Sequence, residues 1–190
     1  LIRNHGEAVV GPAGYKDITN ILGFNFRLTE IQAAIAREQL KKVNTLNAHR
    51  LRLVEQLSNE LNGNKFLHLL QGRKDCTSTY YICPFLFDKE IAGVDREEFI
   101  KAMRGEGVIF SPGYVMPLYF QPLYQRKELF RNGYPFSAPE NMNGNVSYQA
   151  GICPVAEDLH FNKIITNEHV RFPHTTNDMN DIIKAVKKVL

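Results

Sequence analysis

Apolar residues recur at helical spacing over one long stretch of the chain. Between Glu30 and Leu61, the residues Ile31, Ile35, Leu40, Val43, Val54, Leu57 and Leu61 stand mostly at three- and four-residue steps or sums of them, which gathers them into one stripe of a helix. Thr29 and Gln32 have capping-box spacing at its start, and Asn62-Gly63 can end it in the left-handed conformation that helix C-termini often adopt. An unbroken helix over this span would be roughly 48 Å long at ~1.5 Å per residue. One small domain cannot cover that length, so the helix is expected to bridge two bodies or lie in a subunit interface. Leu40, Val43, Val54, Leu57 and Leu61 are its expected packing positions.

Shorter elements follow. The run Thr79 to Phe87 is aromatic and branched and reads as a strand, with Pro84 placing that part at a sheet edge or bulge. Asp95 and Glu98 form a second capping pair for a helix to about Arg104, Val108 to Phe110 reads as a strand, and Ser111 to Phe120 as a loop. Phe66 to Leu70 is an apolar patch within a connecting segment. Gln121 to Phe130 suggests a short helix, and Ser137 with Glu140 another helix start before a break over 141–145. Val146 to Leu159 suggests two helical pieces split by Pro154, and Ile164 to Phe172 a strand. Met179, Ile182, Ile183, Val186 and Leu190 share one face of a last helix, with Asn177 as its cap and Lys184, Lys187 and Lys188 toward its negative end. The fold class is therefore α/β: a long helix followed by a small mixed or antiparallel sheet with helices on one face.

Composition narrows the function classes. With 190 residues, 44% hydrophobic, 23% charged and a net charge of +3 spread along the chain, it reads as an ordinary globular protein with no nucleic-acid patch. No apolar run reaches the ~18 residues of a membrane span. Cys76, Cys83 and Cys153 form an odd set without CxxC spacing, which favours reduced thiols and a cytoplasmic setting. No metal site is expected; His169 and His174 stand five apart across Pro173, a poor spacing for a shared ion. No Ser/His/Asp order, P-loop or nicotinamide fingerprint is present. Asn25 and Arg27 precede the long helix, where an amide and a guanidinium would suit phosphate oxygens. The same two residues also suit a plain turn and a solvated surface charge, and both readings stay open on the residues alone. The chain opens on Leu1, Ile2 and Arg3 and reads as a piece of a longer protein.

The string Arg3-Asn4-His5-Gly6, then Gly23-Phe24-Asn25-Phe26-Arg27-Leu28-Thr29-Glu30-Ile31-Gln32-Ala33-Ala34-Ile35, resembles the hallmark segment of the DegT/DnrJ/EryC1/StrS family. The likeness continues through Arg37-Glu38-Gln39-Leu40. It is looser around Tyr80-Tyr81, Pro117-Leu118, Gln121-Pro122 and Cys153-Pro154-Val155-Ala156-Glu157. These are sugar aminotransferases of the fold-type I class that use pyridoxal 5'-phosphate. The resemblance implies the C-terminal part of such an enzyme, divided into the tail of a large cofactor domain over residues 1–28, a connecting helix over 29–62 and a small α/β domain over 63–190. It implies a cofactor lysine upstream of Leu1, so no catalytic residue is expected here and the chain is expected to be inactive alone. Asn25 matches the residue that reaches the cofactor phosphate of the partner in a homodimer, and Arg27 a position near the substrate phosphates. Tyr114 or Tyr119 matches the loop that contacts the sugar or its diphosphate, although the family's usual histidine is missing from Tyr114-Val115-Met116-Pro117-Leu118-Tyr119. The implied reaction moves an amino group from an amino acid, expected to be glutamate, to a nucleotide-linked ketosugar. The alternatives are a sugar dehydratase or cyclitol aminotransferase on the same scaffold, or a dimerising α/β module without catalysis.

Overall fold

The computed structural model describes residues 24–142 and 146–189. The loop read over residues 1–22, Gly23, most of the 141–145 break and Leu190 lie outside the described residues. The chain divides into two compact units, Leu1–Thr45 and Leu46–Leu190.

In the first unit, Phe24 and Phe26 stack with ring centroids 5.3 Å apart. Helix α1 (Glu30–Leu40) follows, opened by the expected capping box: the Gln32 N–H donates to Thr29 Oγ1, and the Thr29 N–H donates to Gln32 Oε1. The long helix is not continuous. At Lys41 and Lys42 the ladder gives way to a turn in which the Lys42 N–H reaches Gln39 O, and α2 (Val43–Glu60) begins after it. Periodicity alone does not reveal this break, because both residues are good helix formers.

The second unit holds the core. Leu53, Val54, Leu57 and Leu61 of α2 and the following turn are buried, whereas Leu40 is 70% exposed and Ile31 74%. The apolar stripe is therefore a packing surface only in its C-terminal half within this chain. Gly63 ends the helix at φ 88°. Strand β1 (Leu67–Leu69) forms from the apolar patch that the pattern left in a connection. Strand β2 spans Cys83–Phe87 and is shorter than the 79–87 reading, because Tyr80 takes a left-handed φ of 48° that no strand tolerates.

Helix α3 (Lys89–Ala92) is capped by Asp88, and α4 (Arg96–Gly105) follows. Asp95 sits at the N-cap of α4 without the expected side-chain cap bond and instead faces Lys89 at 3.8 Å. Strand β3 is Phe110–Pro112, two residues later than read. Short helices α5 (Pro122–Arg126), α6 (Pro139–Met142) and α7 (Pro154–Asp158) come next. Pro154 starts α7 at its first turn, where its missing N–H costs nothing, so the expected helix over 146–153 does not form. A wide turn, Leu159–Lys163, leads to β4 (Ile164–Asn167). The last helix, α8 (Thr176–Val189), buries Met179, Ile182, Ile183 and Val186 as expected. Asp178 supplies its cap, accepting the Thr175 N–H and hydroxyl at 2.7 Å each, in place of Asn177.

The four strands form one antiparallel sheet in the order β1-β2-β4-β3. Side chains alternate across it. Phe85, paired with Ile165, faces a core filled by α2, α4 and α8; there Phe87 stacks on Phe99 at 5.0 Å, and Phe85 meets Phe110 edge-on at 5.7 Å. Pro84, paired with Thr166, belongs to the other face. β2 is thus an interior strand paired in continuous register through Pro84, contrary to the edge or bulge placement that Pro84 suggested. The reason is directional: Pro84 O accepts from the Leu70 N–H, so its missing N–H points toward the end of β1, where the ladder stops anyway.

Candidate functional site

Buried Arg96 on α4 anchors the segment between α7 and β4. Its guanidinium donates to His160 O at 2.8 Å and Ile164 O at 3.1 Å and pairs with Glu97, whose carboxyl it holds below the usual carboxylate range. With His160 fixed, the 113–120 loop is pressed against it. Gly113 adopts φ +63°, and a Cβ there would lie 2.8 Å from His160 Nδ1 and 2.9 Å from its carbonyl oxygen. Only glycine fits this approach.

Tyr114, directly after that turn, is exposed, and its hydroxyl lies 3.0 Å from the Tyr81 hydroxyl. The hydrogen bond with the Tyr114 hydroxyl raises the pKa of the Tyr81 phenol, and one O–H of the pair remains for a ligand. The two rings border a groove of about 470 Å³ on the sheet face away from the core, floored by Leu70, Tyr80, Ile82, Pro84 and Ile164.

Tyr119 lies in the same loop but turns to another partner. Its hydroxyl donates to Glu157 Oε1 at 2.6 Å, and its carbonyl accepts from Gln125, which also bonds Tyr148 O. Glu157 collects further donors: the Gly151 N–H at 2.8 and 2.9 Å from its two oxygens, and the Cys153 N–H at 3.4 Å. Burial first, and then the hydrogen-bonded carboxylate of Glu157, raise the pKa of the Tyr119 phenol, while the Tyr119 hydroxyl holds that of the Glu157 carboxyl below the usual carboxylate range. Phe120 and Phe161 pack edge-on beside the pair at 5.5 Å.

Asn25 and Arg27 are exposed residues of the first unit, before α1. The α1 start adds little for an anion, because its capping box already satisfies the Gln32 N–H and Glu30 puts a negative charge in the first turn. A phosphate there would rest on the two side chains themselves. Tyr114 and Tyr119 share one loop yet point to different partners. The reading of single residues missed Tyr81 and Glu157. Glu157 closes the Cys153-Pro154-Val155-Ala156-Glu157 string, and that was the available signal.

The cysteines are all free thiols; Cys83 is buried and burial pushes its thiol up to about 12. His169 and His174 do meet, Nδ1 to Nε2 at 3.2 Å, while among the described residues no group of three or more His, Cys, Asp or Glu is placed to hold a metal ion. No helix among the described residues is long and apolar enough to cross a membrane.

A sheet with helices on one face, preceded in the chain by a bipartite helix and the exposed Phe24-Asn25-Phe26-Arg27 segment, defines a class. The model of the DegT/DnrJ/EryC1/StrS aminotransferase family matches residues 1–147, and the chain belongs to that family. It is 30% identical over 172 residues to an L-glutamine:2-deoxy-scyllo-inosose aminotransferase of Streptoalloteichus tenebrarius, covering 90% of this chain and 39% of that protein. The enzyme of the same name from Streptomyces kanamyceticus is 27% identical over 186 residues, covering 94% and 42%. Among solved structures, Helicobacter pylori PseC, an aminotransferase involved in the biosynthesis of pseudoaminic acid, superposes with a TM-score of 0.65 at 23% identity, covering 100% of this chain and 44% of that one. An aminotransferase from Psychrobacter cryohalolentis gives 0.69 at 18% identity, covering 99% and 47%. The fold is thus the one expected. The chain spans about two fifths of the length of the curated relatives it matches.

Proposed function

We propose that this chain is the C-terminal part of a pyridoxal-phosphate-dependent aminotransferase that delivers an amino group to a ketone on a sugar or cyclitol ring. The family match over residues 1–147 is the observation that carries this reading. The donor set before α1, an exposed amide at Asn25 and a guanidinium at Arg27, fits a phosphorylated group. Pyridoxal phosphate, where bound, supplies an electron sink that lets an amino group pass between two carbon skeletons. In this reading Asn25 donates to the cofactor phosphate of the other subunit of a homodimer, and Arg27 stands at the substrate entrance. Tyr114 and Tyr119 orient the ring that bears the ketone. The lysine that moves protons at the reacting carbon belongs to the rest of the polypeptide.

The expected acceptor is a nucleotide-linked ketosugar with glutamate as donor. A ketocyclitol with glutamine is favoured by a separate observation: both curated relatives described above carry those substrates in their names, at 27–30% identity. The test of the core reading is cofactor retention in the full-length protein. One charge-assisted hydrogen bond contributes roughly 1.5–3 kcal/mol, so Asn25→Ala is expected to weaken retention by about one to two orders of magnitude. Equal retention in dialysis against buffer refutes the assignment of Asn25.

A further inference from the structure

Tyr119 is the one member of the candidate loop whose phenolic proton has a fixed destination. It goes to Glu157 Oε1 at 2.6 Å. The carboxylate cannot turn away, because the Gly151 and Cys153 amides hold it from the other side and α7, starting at Pro154, carries it. Gly151, at φ 96°, makes the turn that aims its N–H at both carboxylate oxygens. Among the described residues Glu157 has no salt bridge, so its charge is balanced by these hydrogen bonds alone.

Two consequences follow for a ligand at the half-buried Tyr119. A phenol whose single proton is committed offers only lone pairs, so it accepts and does not donate. A carboxylate one hydrogen bond behind it adds negative charge to that lone-pair surface. Ring hydroxyls and ammonium groups donate and are attracted. Phosphate oxygens bring neither proton nor opposite charge.

We propose that Glu157 is a positioning residue that sets specificity: by taking the Tyr119 proton it reserves that phenol for a hydroxyl or ammonium of a neutral or cationic polyol ring and turns phosphate away. This rests on the reading of Tyr119 as a ring-facing residue given above. It assigns the ring itself, and not a diphosphate, to this part of the loop. Any phosphate contact then falls to groups outside this part of the loop.

The experiment uses the full 190-residue chain with ¹³C-labelled tyrosine, the Tyr119 ring resonance being assigned with Tyr119→Phe. Scyllo-inositol and inorganic pyrophosphate are titrated separately. Scyllo-inositol is expected to shift the Tyr119 resonance and pyrophosphate to leave it in place. In Glu157→Gln, whose amide can donate to the phenol oxygen and release its proton, pyrophosphate is expected to gain a shift, and the Tyr119 phenol to titrate at a lower pH than in the wild type. A pyrophosphate shift in the wild type as large as that of inositol overturns the proposal, as does silence to both probes or a Glu157→Gln response identical to wild type. If the variant unfolds, which the same spectra reveal, the wild-type comparison of the two probes decides. None of these readings involves amino transfer. A full-length enzyme that transfers no amino group to any ketone would refute the aminotransferase reading while leaving the phenol's preference measurable.

Discussion

Leu57 and Leu40 come from the same periodic stripe and meet opposite fates: Leu57 is 0% exposed and Leu40 70%. Removing the Leu57 side chain should open a cavity in the core cluster, whose members include Leu53, Phe87 and Met179. Leu57→Ala is expected to lower stability by about 2–5 kcal/mol, and Leu40→Ala by less than about 0.5 kcal/mol. Urea midpoints of the two variants check this, and equal midpoints would place Leu57 outside the core. The candidate site was legible to a similar half measure. Asn25, Arg27, Tyr114 and Tyr119 could be named because they stand in short strings with a family likeness. Tyr81 and Glu157 stand in looser strings of the same likeness, but their pairings could not be read, because the partners lie 33 and 38 residues away and no local spacing encodes such a meeting.

Among the elements, α8 was the most legible and β1 the least. A helix of fourteen residues with an apolar face repeats its signal several times, while a three-residue strand such as Leu67–Leu69 has no period to show. The boundaries that moved did so for backbone reasons: the left-handed Tyr80 shortens β2, and Pro154 begins a helix. The cap of α8 carries a pH dependence. Thr175 holds the Asp178 carboxyl below the usual aspartate range through its hydroxyl and N–H. A depressed folded-state value means that the stabilisation is fully present above the unfolded value of about 3.9 and is lost as pH falls through the lower folded one. Asp178→Asn should therefore flatten the acid limb of the stability curve below about pH 4, as followed by far-ultraviolet circular dichroism. An acid limb as steep as wild type would show that the cap bond is absent in solution.

For the whole molecule, the shared-site reading makes a prediction that no single variant can test. Two full-length proteins are mixed at a cofactor concentration too low to load Asn25→Ala, one without its cofactor lysine and one carrying Asn25→Ala. If Asn25 serves the partner's cofactor, each hybrid dimer holds one site with both groups intact, and activity returns. If it serves its own subunit, every hybrid site lacks one group, and confirmed hybrids stay inactive.

The division at Thr45 and Leu46 also bears on how this protein is handled in the laboratory. Among the described residues, every member of the buried core cluster falls between Leu53 and Val186, inside the second unit. Ile31, Ile35 and Leu40, by contrast, present oily surface to solvent. A recombinant domain trimmed to start at Leu46 keeps all of these core residues and sheds the exposed apolar side chains of α1, which makes it the better-behaved sample for concentrated solution work on the tyrosine loop.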